Sequence, residues 1–170
     1  VPFTMIGRTR EPAGLPHVDV DFARTTDDAV EHLHALGHSH IGFVNHSRAS
    51  RDDGYGPTIR ADEGYRLAMQ RRGLVPVSEM CDESPSAGRE TMARLLTADP
   101  HLTAVVTMNE IATFGITVEL QDRGLHIPAD FSVLSIVTSP GVDLADAVAV
   151  GDAQVRHVIA ADPRASPAMR

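Results

Sequence analysis

Apolar and polar residues along this chain fall into blocks whose period switches repeatedly between that of a buried strand and that of an amphipathic helix. The stretch "LTAVVTMNEIATFGITVEL", residues 102–120, makes the switch abruptly. Its apolar run over 103–108 reads as a strand and stops at Asn109-Glu110. Helical spacing then runs over 110–123 and closes at Gly124. Residues 3–6 and 17–20 read as short strands around a polar loop with Gly14 and Pro16. Over 23–36 the residues Ala29, Val30, Leu33 and Leu36 recur at helical spacing, with Gly37 placed to cap the end. A strand is expected at 41–44, then a polar loop, "NHSRASRDDGYGPT", over 45–58. A second helix over 58–72 would bury Ala61, Tyr65, Ala68 and Met69 and stop at Gly73. "VSEMC" reads as a weak strand, and Ser84-Pro85 as the cap and first turn of a helix through Met92, Leu95 and Leu96. The next strand is expected at 132–137.

Strands alternating with helices of about 10 to 15 residues predict an α/β fold with a parallel sheet flanked by helices. Past Ser139 the period fades. Residues 147–150 read as a strand, 154–160 as a short helix, and the last eight residues as disordered.

Composition narrows the function. Of the 170 residues, 42% are hydrophobic and 22% charged, which is enough for a packed core. The net charge of −8 argues against these residues holding nucleic acid themselves, since that needs a basic face. The single cysteine, Cys81, fits a reducing compartment and the cytoplasm, and reads as a small buried hydrophobe. No apolar run approaches the ~20 residues of a membrane-spanning helix, so no membrane partner is expected. The chain opens on Val1 directly in a strand-like run and reads as a fragment.

Ligands of open parallel sheets bind at the carboxyl ends of the strands, and Asn109-Glu110 falls at such an end. Asn109 also suits a helix cap, with Glu110 favoured by the first-turn dipole, and one side chain can do both. In "EHLHALGHSH", His32, His34, His38 and His40 crowd together, but only His34 and His38 are four apart and the helix ends between them. Helix-end histidines fit better than a metal site. Nucleophile elbow, phosphate loop, dinucleotide fingerprint and zinc-protease motif are all missing, so neither an enzyme nor a cofactor is expected.

Five stretches, in order, resemble the effector-binding core of LacI/GalR-family bacterial transcription regulators. They are "VPFTMIGR" with "VDVDFARTTDDAVEHLHALGHSHIGFV", "EGYRLAMQRRGL", "TAVVTMNEIATFGI" and "GLHIPADFSVLSI". Together they cover most of residues 1–137, and the tail does not match. The resemblance implies a periplasmic-binding-protein-like, two-lobed fold that clasps a small-molecule effector. Its N-terminal lobe would be incomplete here. On that pattern residues 1–45 belong to the N-terminal lobe, 46–138 form the effector-binding lobe, and 139–170 cross back into a poorly ordered tail. Operator DNA would be bound only through an N-terminal headpiece missing from this chain, and a homodimer is expected.

The resemblance also assigns residues. Asn109 would contact effector, with Glu110 beside it where aspartate is usual. The family's effector-binding arginine position is Ala61 here, and Arg60 is the nearest candidate. Val137 stands where the family carries a sugar-binding aspartate, with Thr138 and Ser139 beyond. Apart from the family pattern, Tyr55 and Arg48 in the long loop are candidate contacts, with a solvated loop residue the alternative for each. On this reading Asn109→Ala would weaken effector binding more than about tenfold and leave the fold intact. An exported solute-binding protein and a small α/β enzyme are the alternatives. "IPADFSV" and "EHLHALGH" favour the regulator.

Overall fold

The structure, a computed structural model, describes residues 17–136 together with the backbone of three short strands outside that span. Strands β1 (Met5–Ile6) and β2 (His17–Val18) pair in parallel as a small separate sheet. Helix α1 (Phe22–Ala35), strand β3 (Ile41–Asn45), the short helix α2 (Arg48–Asp52) and helix α3 (Gly56–Arg71) follow. Then come β4 (Val77–Met80), α4 (Pro85–Ala98), β5 (Ala104–Thr107), α5 (Glu110–Asp122), β6 (Ser132–Ser135), β7 (Val148–Ala149) and β8 (Ile159–Ala161). The main sheet runs β4-β3-β5-β6-β8-β7. Its first four strands are parallel, and β8 joins β6 antiparallel.

Both faces of β3, β5 and β6 are buried, which is why β3 and β5 read as largely apolar runs, while the edge strand β4 is half-buried and mixed. Alternation splits each strand between two cores. Phe43, Val106 and Leu134 face α1 and α3, where they meet Val30, Leu33, Tyr65 and Met69. Val44, Val105 and Val133 face α4 and α5, where they meet Met92, Leu95, Ile116 and Leu120. The Tyr65 hydroxyl crosses its core to donate to the Ile41 carbonyl (2.7 Å) and accepts from the Val77 amide (2.9 Å), tying α3 to β3 and β4.

Helices α4 and α5 touch through reciprocal glycines. A Cβ on Gly88 would lie 2.1 Å from the Ala112 carbonyl oxygen, and one on Gly115 only 1.8 Å from that of Pro85. His38, just past the end of α1, is buried, its ring nitrogens 2.7 Å from the Thr103 hydroxyl and 3.0 Å from that of Ser132.

Three expectations change. The polar loop over 45–58 contains α2, because Ser47 caps it by accepting from the Ser50 amide. The helix expected over 154–160 is overridden at its end, since Ile159 and Ala160 pair with β6; a segment without a firm period takes the structure its neighbours impose. The break expected after residue 45 falls inside the main sheet. Strand β3 is paired on both sides, with β4 and β5, and α1 packs along α3. A strand's own sequence does not say which sheet it joins, so that boundary was misplaced. The last eight residues lie outside the described ones.

Candidate functional site

The carboxyl ends of β3, β4 and β5 open onto one edge of the sheet, where α2, α3, α4 and α5 begin. This is the edge at which a doubly wound sheet offers helix N-termini to a ligand.

Asn109 caps α5, its Oδ1 accepting from the Ala112 amide at 3.1 Å. Its Nδ2 donates to the Cys81 carbonyl at 2.9 Å and more weakly to that of Asp82 at 3.4 Å. Behind it, Thr113 Oγ1 donates to the Asn109 carbonyl (2.8 Å) and the Asn109 amide donates to Thr107 Oγ1 (3.2 Å). Asn109 is 1% exposed. Its side chain therefore joins the end of β5 to the loop after β4. Glu110, next in the chain, is half-buried in the first turn of α5.

At the end of β3, Asn45 donates to the Thr58 carbonyl (2.9 Å) and accepts from the His46 amide (2.8 Å), which fixes the start of α3 beside the strand. His46 follows, its ring edge-on to Tyr55 with centroids 6.0 Å apart. Its buried Nδ1 stands 3.3 Å from Glu83 Oε1, without the alignment of a hydrogen bond. Burial lowers the His46 pKa below the ordinary histidine value, and the nearby Glu83 carboxylate offsets only part of that. Tyr55 is 51% exposed. Burial likewise raises the pKa of Cys81, whose Sγ donates to the Asp82 carbonyl.

Arg60 lies apart from Asn109 in its bonding. Its guanidinium donates to Asp19 Oδ2 at 2.7 Å and stands over the Phe22 ring. Together with 17–21 it lines a cleft of about 430 Å³. Ala61 is fully buried in the core, so Arg60 is the side chain of that pair that reaches the surface. Arg48 is exposed on α2 and lines a second groove, of about 380 Å³, with Asp82, Glu90 and the Arg94–Glu79 pair.

The structure thus brings Asn109 and Glu110 to the same edge as Tyr55, and sets Arg60 and Arg48 in two separate concavities. Val137 and Thr138 lie outside the described residues. Sequence reading missed His46, Glu83 and Asp19. His46 follows a strand expected to be buried, and the edge rule applied to every strand end would have found it. Among the described residues no group of three His, Cys, Asp or Glu side chains is placed to hold a metal ion. Among them no helix is long and apolar enough to cross a membrane.

The family model for the periplasmic binding protein-like domain matches residues 30–149. Catabolite control protein A of Priestia megaterium is 28% identical over 140 residues, covering 79% of this chain and 40% of that protein. A LacI transcriptional regulator from a Rhodococcus species has a solved structure that is 28% identical with a TM-score of 0.66, over 78% of this chain and 48% of that one. A PurR family transcriptional regulator from Vibrio parahaemolyticus, 23% identical, shares the fold with a TM-score of 0.72 over 84% of this chain and 53% of that one. The chain therefore spans about half, or less, of the length of these relatives.

Proposed function

Because this chain belongs to the periplasmic binding protein-like domain family, among the LacI/GalR transcriptional regulators, we propose that it is the effector-sensing and dimerisation part of such a regulator. The observation that carries the reading is the convergence of α2, α3, α4 and α5 starts and their polar side chains on one edge of the parallel sheet. A small molecule, sugar-like or a related metabolite, binds at that edge against a second lobe. Glu110, Tyr55 and Arg48 are the side chains able to reach it, while Asn109 and Arg60 act from behind by fixing loops.

No bond is made or broken, so the protein is not an enzyme, and it works in the cytoplasm. Residues 17–136 form one lobe rather than parts of two. The effector changes the angle between lobes, and through a homodimer the spacing of DNA-reading heads. These heads are a separate segment, since an acidic chain of net charge −8 does not hold operator DNA itself. The second copy covers Ile111 and Phe114, exposed one turn apart on α5.

A thermal-shift screen of the full chain against monosaccharides, disaccharides, sugar phosphates and nucleobases tests the effector claim, because a ligand that binds only the folded state raises the melting temperature. A hit whose calorimetric affinity falls about tenfold or more in Tyr55→Ala or Glu110→Ala supports the edge. No hit, or hits indifferent to both variants, would remove the site from this edge.

A further inference from the structure

The chain's two sheets are joined by three residues, Asp19, Val20 and Asp21. Among the described residues strand β2 pairs with β1, in the small sheet, whereas α1 begins at Phe22 and packs on the main sheet. Among the described residues this segment is the covalent link between the two sheets.

Side chains pin the segment beside the backbone bond from the Phe22 amide to the Val20 carbonyl. Asp21 Oδ1 accepts from the Arg24 amide and so belongs to α1 as its cap. Asp19 faces both ways. Its Oδ1 accepts from the Val20 amide at 2.9 Å, holding the local turn. Its Oδ2 accepts from Arg60 Nη2 at 2.7 Å, reaching one turn into α3. The Arg60 guanidinium in turn lies 5.9 Å from the centre of the Phe22 ring, at the first residue of α1. One cation therefore grips the chain on both sides of the joint. The paired side chains are only 15% and 17% exposed, so water screens them less than an ordinary surface pair. The same residues are the walls of the 430 Å³ cleft, with His17 to Asp21 on one side and Arg60 on the other. A molecule entering the cleft meets the joint itself.

We propose that the Asp19–Arg60 ion pair is the restraint that sets this joint, with Arg60 a positioning residue rather than an effector contact. Its use in signalling rests on the two-lobed reading above, but the restraint is testable without any ligand. The pair is separable from the turn beneath it, because Asp19→Asn removes the charge and keeps the oxygen that accepts from Val20. Breaking the pair from the other side, with Arg60→Met, must then have the same effect, and Arg60→Lys must restore most of it.

The test is amide hydrogen exchange of the full 170-residue chain, read by mass spectrometry, for these three variants and the parent. Asp19→Asn and Arg60→Met should each speed exchange at residues 18–22 by about tenfold or more, the scale of losing a charge-assisted bond, with β3 and β5 at parental rates. Three outcomes would overturn the proposal. Unchanged exchange at 18–22 means the pair restrains nothing. Equal acceleration in β3 and β5 makes it a general stabiliser. An effect of Asp19→Asn without one of Arg60→Met assigns the restraint to the turn alone. None of these readings involves an effector, so the failure of the regulator reading would leave them intact.

Discussion

Asn109 donates its side-chain amide to the Cys81 carbonyl, 2.9 Å away, while its carboxamide oxygen caps α5 at Ala112. One buried side chain thus closes the end of one strand-helix unit and fastens it to the loop of the preceding one. Asn109→Ala loses the cap and leaves the buried Cys81 carbonyl without this donor, which together should cost about 2–3 kcal/mol. Asn109→Ser keeps a capping oxygen and loses the crossing bond, so its urea midpoint should fall between parent and Ala. Equal midpoints for Ala and parent would mean that neither bond matters.

Gly115→Ala reverses the usual helix rule. In an open helix this change stabilises by about 1 kcal/mol. Here the new Cβ would sit 1.8 Å from the Pro85 carbonyl oxygen, a backbone atom that cannot swing aside. Helices α4 and α5 must move apart and loosen the core around Met92 and Ile116. A loss of about 2 kcal/mol or more is expected in chemical denaturation. A gain in stability would show that the helices are not in this contact.

Much of this architecture was legible in the sequence, and the reasons differ by level. The strands at 41–44, 103–108 and 132–137 were readable because burial on both faces leaves an apolar run that few other structures produce. Caps were readable because Ser84-Pro85 and Asn109 carry their chemistry locally. What local patterns do not contain is pairing. Nothing in "IGFVN" says that β3 lies between β4 and β5, and so the break drawn after residue 45 cut a sheet in half. Nor does periodicity foresee that Asp19 and Arg60 meet across 41 positions. Asn109 was found correctly at the edge, but its partner Cys81 lies on another loop, and its role as a fastener was invisible without it.

His46 gives the chain a pH dependence whose sign is fixed. Burial lowers its folded pKa below the unfolded value of about 6.5, despite Glu83 beside it. Above that value both states are neutral and the shift contributes nothing. As pH falls below it, the unfolded chain takes the proton first, so stability drops until the folded ring also protonates. Urea midpoints of the parent should therefore decline from pH 7 toward pH 5 more steeply than those of His46→Gln. Parallel curves for the two proteins would place the titration elsewhere.

The pair Ile111 and Phe114 carries the last expectation. Both lie on α5 with their side chains turned from the core, 52% and 62% exposed, while Ala112 and Ile116 on the same helix are buried. Leaving two large apolar groups one turn apart in water has a cost that a second copy would remove, at about 25 cal/mol per Å² covered. In analytical ultracentrifugation at tens of micromolar the chain should sediment as a dimer, and the double variant Ile111→Ser, Phe114→Ser as a monomer. Because neither side chain belongs to either core cluster, circular dichroism of the variant should match the parent. A parent that sediments as a monomer removes the dimer from the proposal. A variant that still dimerises moves the interface to another face and leaves these two residues without a partner.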